Sequence, residues 1–200
     1  MQQCPHLQQL ELRHSIFVVD QPVVLPLHLR SLIADDTSLG FGVRGHLLAV
    51  QNLVHLESLI LLEKGPGVVL EAVQETLSYD STKYATVSDL HTLKLNVSLL
   101  DPPHIAELLS HPRLKELQHL GLVDCPAIND QVAAVIAEHG KRLKTLQIPN
   151  AKITGVGLKK LVLACPSLAA VDLNGCRDVS MDAVDWAREQ GLSVMWKMGI

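Results

Sequence analysis

Aromatic side chains are scarce in this chain: two Trp, two Tyr and two Phe make up 3% of its 200 residues. That argues against base-stacking nucleic-acid modules and against a core of interlocked rings. Charge of one sign is also lacking. Seventeen Lys and Arg against 21 Asp and Glu leave a formal charge of −4, so no electrostatic case exists for nucleic acid or an anionic membrane. No apolar run approaches the length of a membrane span, and Met1 to Leu7 lack the cationic start and apolar stretch of a secretory signal. The four cysteines, Cys4, Cys125, Cys165 and Cys176, include no close pair with zinc-ligand spacing. They read as reduced structural thiols of a cytoplasmic or nuclear protein.

Catalytic motifs are missing as well. Ten histidines scatter from His6 to His139 with no HxxxH or HxH spacing. Gly40, Gly42 and Gly45 follow no convincing strand, and no GxxxxGK[ST] phosphate loop occurs. Asp35, Asp36, Asp101, Asp172 and Asp178 form no recognisable acid–base pair. The expectation is a non-enzyme without cofactor or metal. The least weak catalytic alternative is a cluster of Asp80, Lys83 and His91 in the 64–91 region, which would need perturbed pKa values.

What the chain does have is repetition. Leucine-x-x-leucine-x-leucine recurs, most cleanly at Leu117/Leu120/Leu122, Leu143/Leu146/Ile148 and Leu168/Val171/Leu173. The same frame fits Leu7/Leu10/Leu12, Leu56/Leu59/Leu61 and Leu90/Leu93/Leu95, and more loosely Leu29/Leu32/Ala34. First leucines at 7, 29, 56, 90, 117, 143 and 168 are separated by steps of 22, 27, 34, 27, 26 and 25. A repeat of this length means a solenoid, whose units bury their apolar faces only by stacking on one another.

One unit shows the local logic. Pro166 stops the preceding helix. Val171 and Leu173 alternate with Asp172 and Asn174, which predicts a half-buried strand. Ser180 then caps a helix from about Met181 that holds Ala183, Val184 and Ala187 and ends at Gly191. The same reading places helices at Gln131–His139 and after Thr154, the latter with Val156, Leu158, Leu161 and Val162. Trp186 is expected in the helix core, and Trp196 in a final strand, Ser193–Lys197, that caps the array. The fold class is α/β: parallel strands on one face and helices on the other. All 200 residues form one array of about seven repeats with an irregular insertion at 64–86, inside which 68–77 reads as a helix.

The segment Cys165-Pro-Ser-Leu168 to Cys176, ending at Val179-Ser180, resembles the cysteine-containing subclass of leucine-rich repeats. Leu117 to Asp130 and Leu143 to Gly155 are similar, with Ala151 where a cysteine would stand. The likeness is strong over 111–191 and weaker over 1–110. It implies a horseshoe with strands on the concave face, and the substrate-recognition domain of F-box ubiquitin-ligase receptors. No F-box is recognisable: residues 25–33 are superficially similar to the start of one, but Asp35 to Gly42 is turn-forming, and the repeat frame accounts for Leu29 and Leu32. The array starts at Leu7 without a polar capping unit, which predicts a fragment, a truncated product, or an end shielded by binding. A ligase adaptor would then be recruited through a missing N-terminal region.

Side chains at the third, fifth and seventh positions of each frame point to the sheet's open face. Most are polar or small. Ile33, Ile60, Leu62 and Val123 are not, and an exposed apolar patch of this kind marks a partner site. The predicted protein-binding residues are Ser58, Ile60, Leu62, Thr92, Lys94, Asn96, His119 and Val123. His119 offers a pH-dependent contact. Tyr79 and Tyr84, both of the chain's tyrosines, join them from the insertion loop. The partner is an unidentified protein. The alternative is a stand-alone regulatory repeat scaffold, similar to ribonuclease-inhibitor-like proteins, with no ligase link.

Overall fold

The computed structural model describes residues 4, 6–13, 25–26, 28–35, 53–62, 87–96, 101–124 and 126–197. The predicted insertion at 64–86, its helix, Tyr79, Tyr84 and Cys125 lie outside the described residues. The rest is a repeat solenoid around an open parallel sheet of eight strands, stacked in chain order. They are β1 (Gln9–Arg13), β2 (Ser31–Asp35), β3 (Ser58–Leu62), β4 (Thr92–Asn96), β5 (His119–Val123), β6 (Thr145–Gln147), β7 (Ala170–Asp172) and β8 (Ser193–Met195). Four helices are described: α1 (Pro102–Leu109), α2 (Asp130–His139), α3 (Gly155–Ala164) and α4 (Met181–Glu189).

The leucine frame and the hydrogen-bond register are the same thing. Leu10, Leu32, Leu59, Leu93, Leu120, Leu146, Val171 and Val194 pair in one unbroken column across all eight strands. From Leu32 onward every member is buried. At about 2 kcal/mol for each large apolar side chain withdrawn from water, this column and its neighbours are the main driving force for stacking. Val132 and Ile136 of α2, Leu158 and Leu161 of α3, and Val184 of α4 close the core from the other side.

Two backbone devices set the coil spacing. Six of the seven first leucines turn back on themselves: the N–H of Leu7, Leu29, Leu56, Leu117, Leu143 and Leu168 donates to the carbonyl three residues earlier, at 3.0–3.2 Å. The next residue's carbonyl then accepts two N–H groups from the following coil. Gln8 O takes Arg30 and Ser31, at 2.7 and 3.0 Å, and the arrangement repeats at Arg30, Glu57, His91, Gln118 and Lys144.

Helix starts follow the capping chemistry. Asp101, Asn129, Thr154 and Ser180 each accept from a backbone N–H of the first turn. Asp130 binds the next unit in turn, accepting from the Thr154 N–H at 2.8 Å and its hydroxyl at 2.7 Å. After the strands the chain reverses through left-handed residues at one repeat position: Asp124 (φ 55°), Asn150 (φ 59°) and Gly175 (φ 76°). Asp, Asn and Gly are the residues that tolerate it.

The structure departs from the expectations in four places. Val156 is 71% exposed and Leu163 66%, so α3 buries Gly157, Leu158 and Leu161 instead. The final strand ends at Met195, and Trp196 beyond it donates its indole N–H to the Cys176 carbonyl at 3.1 Å. Trp186 is only half-buried, lying under the Lys159 ammonium at 5.5 Å. Between Asn96 and Leu117 the chain forms α1 and a short 3₁₀ turn, Pro112–Leu114, that no apolar period announced.

That turn holds Arg113, the one buried charged side chain among the described residues, 3% exposed. Its Nε donates to Ser88 O at 3.1 Å, and one terminal nitrogen donates to Leu53 O and Leu56 O at 3.2 and 3.1 Å. Its own carbonyl accepts from Leu90 N–H at 2.8 Å. Leu90 is the first leucine without the local three-residue turn, and it follows the longest step, 34 residues. Arg113 therefore ties three coils together where the regular device is missing. His111 caps the turn, its Nδ1 accepting from the Arg113 N–H at 3.3 Å. Burial first, and the adjacent Arg113 charge second, lower its pKa.

Arg113→Ala removes the side-chain donors to the Ser88, Leu53 and Leu56 carbonyls, of which only Leu53 O keeps another N–H partner among the described residues, and should cost about 3 kcal/mol in urea denaturation. Lysine at 113 should not restore it, because an ammonium lacks the planar fork. The lowered His111 pKa makes the neutral imidazole the folded form. Its contribution is present above the ordinary value of 6.5 and is lost as pH falls through the folded value. His111→Asn should flatten that part of the stability–pH curve.

Candidate functional site

Alternation within each strand sends the leucines to the helix side and the third, fifth and seventh frame residues to the opposite face. From β2 to β7 that face is mostly half-buried side chains, while at β1 it is exposed. Because the register is continuous, the face is organised in columns. One column runs Ser31, Ser58, Thr92, His119, Thr145, and a second runs Ile33, Ile60, Lys94, Gly121, Gln147, Asp172.

These columns divide the face into zones. Glu11 and Arg13 form an ion pair at the β1 edge. Ile33 and Ile60 pair directly across β2 and β3, with Leu62 beside Asp35, and make the apolar zone. Val123 is not part of it, since β4 lies between and Asn96 is its register partner. The remaining predicted residues fall in a polar zone. Ser58 pairs with Thr92, and Thr92 with His119. His119 Nδ1 lies 2.8 Å from Thr145 Oγ1, which fixes the ring on the face. Asn96 reaches Asp124 at 3.4 Å.

Gly121 was among the open-face positions but not among the predicted binding residues, and it shapes the site. A Cβ there would come within 2.6 Å of Lys94 Cγ, so the Lys94 stem lies directly over the glycine backbone. A small residue in the fifth frame position beside a long one was the available signal.

Chemistry elsewhere is limited. Among the described residues no group of three or more His, Cys, Asp or Glu is placed to hold a metal ion. Cys165 and Cys176 are buried and free, and Cys4 is exposed and free. Burial pushes the Cys176 thiol up to about 11, with Asp172 and Asp178 adding to the rise against two backbone hydrogen bonds. Burial raises Cys165 too, opposed by Lys141. Both thiols stay protonated and poorly nucleophilic at neutral pH. Of the alternative cluster, Asp80 and Lys83 lie outside the described residues, and His91 immediately precedes β4. Among the described residues no helix is long and apolar enough to cross a membrane.

No family model matches the chain. It is 27% identical over 214 residues to the F-box/TPR repeat protein pof3 of Schizosaccharomyces pombe, covering 95% of this chain and 36% of that one. The chain thus spans about a third of the length of the curated relative it matches. Among solved structures it is similar to Leiomodin-1 Actin-Binding Site 2 (ABS2), with a TM-score of 0.44 and 15% identity over 68% of this chain and 83% of that chain. A likeness that weak carries no argument. The relative is a distant homologue named for repeats and an F-box.

The Lys94–Gly121 contact yields a test. Gly121→Ala meets Lys94 Cγ and Cβ, near the root of that side chain, so Lys94 must leave its rotamer at a cost of about 1 kcal/mol or more. It should displace Lys94, seen as altered Lys94 methylene resonances with the β5 amides unchanged.

Proposed function

We propose that this chain is a leucine-rich repeat horseshoe that binds a protein partner on the sheet face opposite its helices. We read it as the substrate-recognition part of an F-box-type ubiquitin-ligase receptor. The observation that carries this reading is the open face itself. Ile33, Ile60 and Leu62 stand together with no helix of the described residues over them, beside a polar zone with His119, Thr92 and Lys94 in fixed register. An apolar centre with a hydrogen-bonding surround is the usual anatomy of a protein interface.

The F-box link comes from the relative's name. TPR units pair helices, whereas the described residues from β4 onward alternate strand and helix. It would therefore correspond to a part of such a protein distinct from its TPR array. Residues 28–35 support that assignment, since Leu29 and Leu32 are buried members of a coil. The adaptor would be bound by an F-box outside these 200 residues. In this reading the module is non-catalytic, needs no cofactor, and works in the cytoplasm or nucleus, where its thiols remain reduced.

The test is affinity purification of the natural full-length product, wild type against Ile60→Asp/Leu62→Asp, with mass spectrometry. A ubiquitin-ligase adaptor from both, and a cargo lost from the variant, is the expected result. Cargo without adaptor would leave a stand-alone scaffold. If the variant keeps every partner, the assigned face is wrong.

A further inference from the structure

One step before each first leucine, the first three described coils carry His6, His28 and His55, and the next three carry Asp89, Glu116 and Arg142. The register that pairs Gln9 with Ser31 and Ser31 with Ser58 brings the three histidines side by side at the rim where the strands begin. The rings of His28 and His55 lie 5.9 Å apart and within 14° of parallel. One step after the leucine come Gln8, Arg30 and Glu57. His6, Gln8, His28, Arg30 and His55 line an open notch of about 340 Å³.

The charges around this notch are unevenly satisfied. Further along the rim, Lys115 pairs with Asp89 at 3.5 Å and Arg142 with Glu116 at 3.0 Å. Arg30 uses one terminal nitrogen on Glu57, at 2.8 Å. That contact neutralises Glu57, and a guanidinium has further donors. No carboxylate among the described residues pairs with the three imidazoles. His91 follows Glu57 in the second rim column, its N–H donating to the Glu57 carbonyl.

A notch walled by a guanidinium, a carboxamide and stacked imidazoles offers N–H donors and, as histidines protonate, positive charge. A dication would meet the Arg30 charge, and no three-ligand metal geometry occurs among the described residues. We propose that this rim notch binds an oxyanion group, phosphate or carboxylate, held by Arg30 and Gln8 and clamped by His6, His28 and His55. It is separate from the sheet face assigned above and does not depend on that reading. A segment bearing a phosphorylated or acidic side chain and a free anion share this chemistry.

The experiment follows the imidazole C2–H resonances of the full chain titrated with inorganic phosphate, acetate or a phosphoserine peptide. Saturable shifts at His6, His28 and His55 are expected. His28→Gln/His55→Gln should abolish the shift at His6, and Arg30→Gln should weaken binding about tenfold or more. A phosphopeptide that binds tighter than phosphate identifies a polypeptide source, and equal affinity identifies a small anion; both uphold the site. Absence of saturation, or equal shifts at every exposed histidine, overturns it. So does saturation of the three imidazoles by zinc ions near pH 8 without any response to phosphate.

Discussion

One bifurcated contact organises this molecule: a carbonyl between the first two leucines of each coil, accepting two N–H groups from the next. It recurs from Gln8 to Lys144. Because it locks consecutive strands in one register, each leucine meets the equivalent leucine of its neighbour, and the core becomes a set of straight columns. A slip of one residue would turn every leucine to the open face and every polar residue inward. The hydrophobic column and the backbone ladder therefore enforce each other, and stability is shared between nearest neighbours along the stack.

The weak point of such a design is an irregular step. After Leu56 the chain takes 34 residues to reach the next first leucine, and Leu90 has lost the local turn its counterparts use. Arg113 supplies the missing bonds. Burying a guanidinium is costly, and the cost is offset because its donors meet three backbone carbonyls. An apolar residue would fill the volume but leave the Leu56 and Ser88 carbonyls without this donor, and Leu53 O with the Leu56 N–H alone. The charge is there for its fork of N–H groups.

Strand positions and burial were legible because a leucine frame encodes both at once. The cap at Ser180 was legible for a similar reason, since the residue that starts a helix also bonds to it, and the helix after Thr154 was legible as a start without its cap being named. Helix faces were read less well. Val156 satisfies helical spacing yet points outward, because α3 meets its neighbours with the narrow stripe of Gly157, Leu158 and Leu161. Neither α1 nor Arg113 was visible. The first begins at two prolines, and the second is a charged residue whose role depends on carbonyls up to 60 residues away.

The histidines show what kind of information local motifs omit. His6, His28 and His55 stand 22 and 27 residues apart, and no spacing rule for metal or catalytic sites connects them. In a solenoid the relevant distance is one coil, so residues at equal frame positions are neighbours whatever their separation in sequence. The same rule lays Lys94 across Gly121 and seats His119 on Thr145. Composition along a frame column, rather than along the chain, is thus the quantity that determines surface chemistry here. Changing one column member alters a local contact, whereas shifting the frame by one residue would remake the face and the rim together.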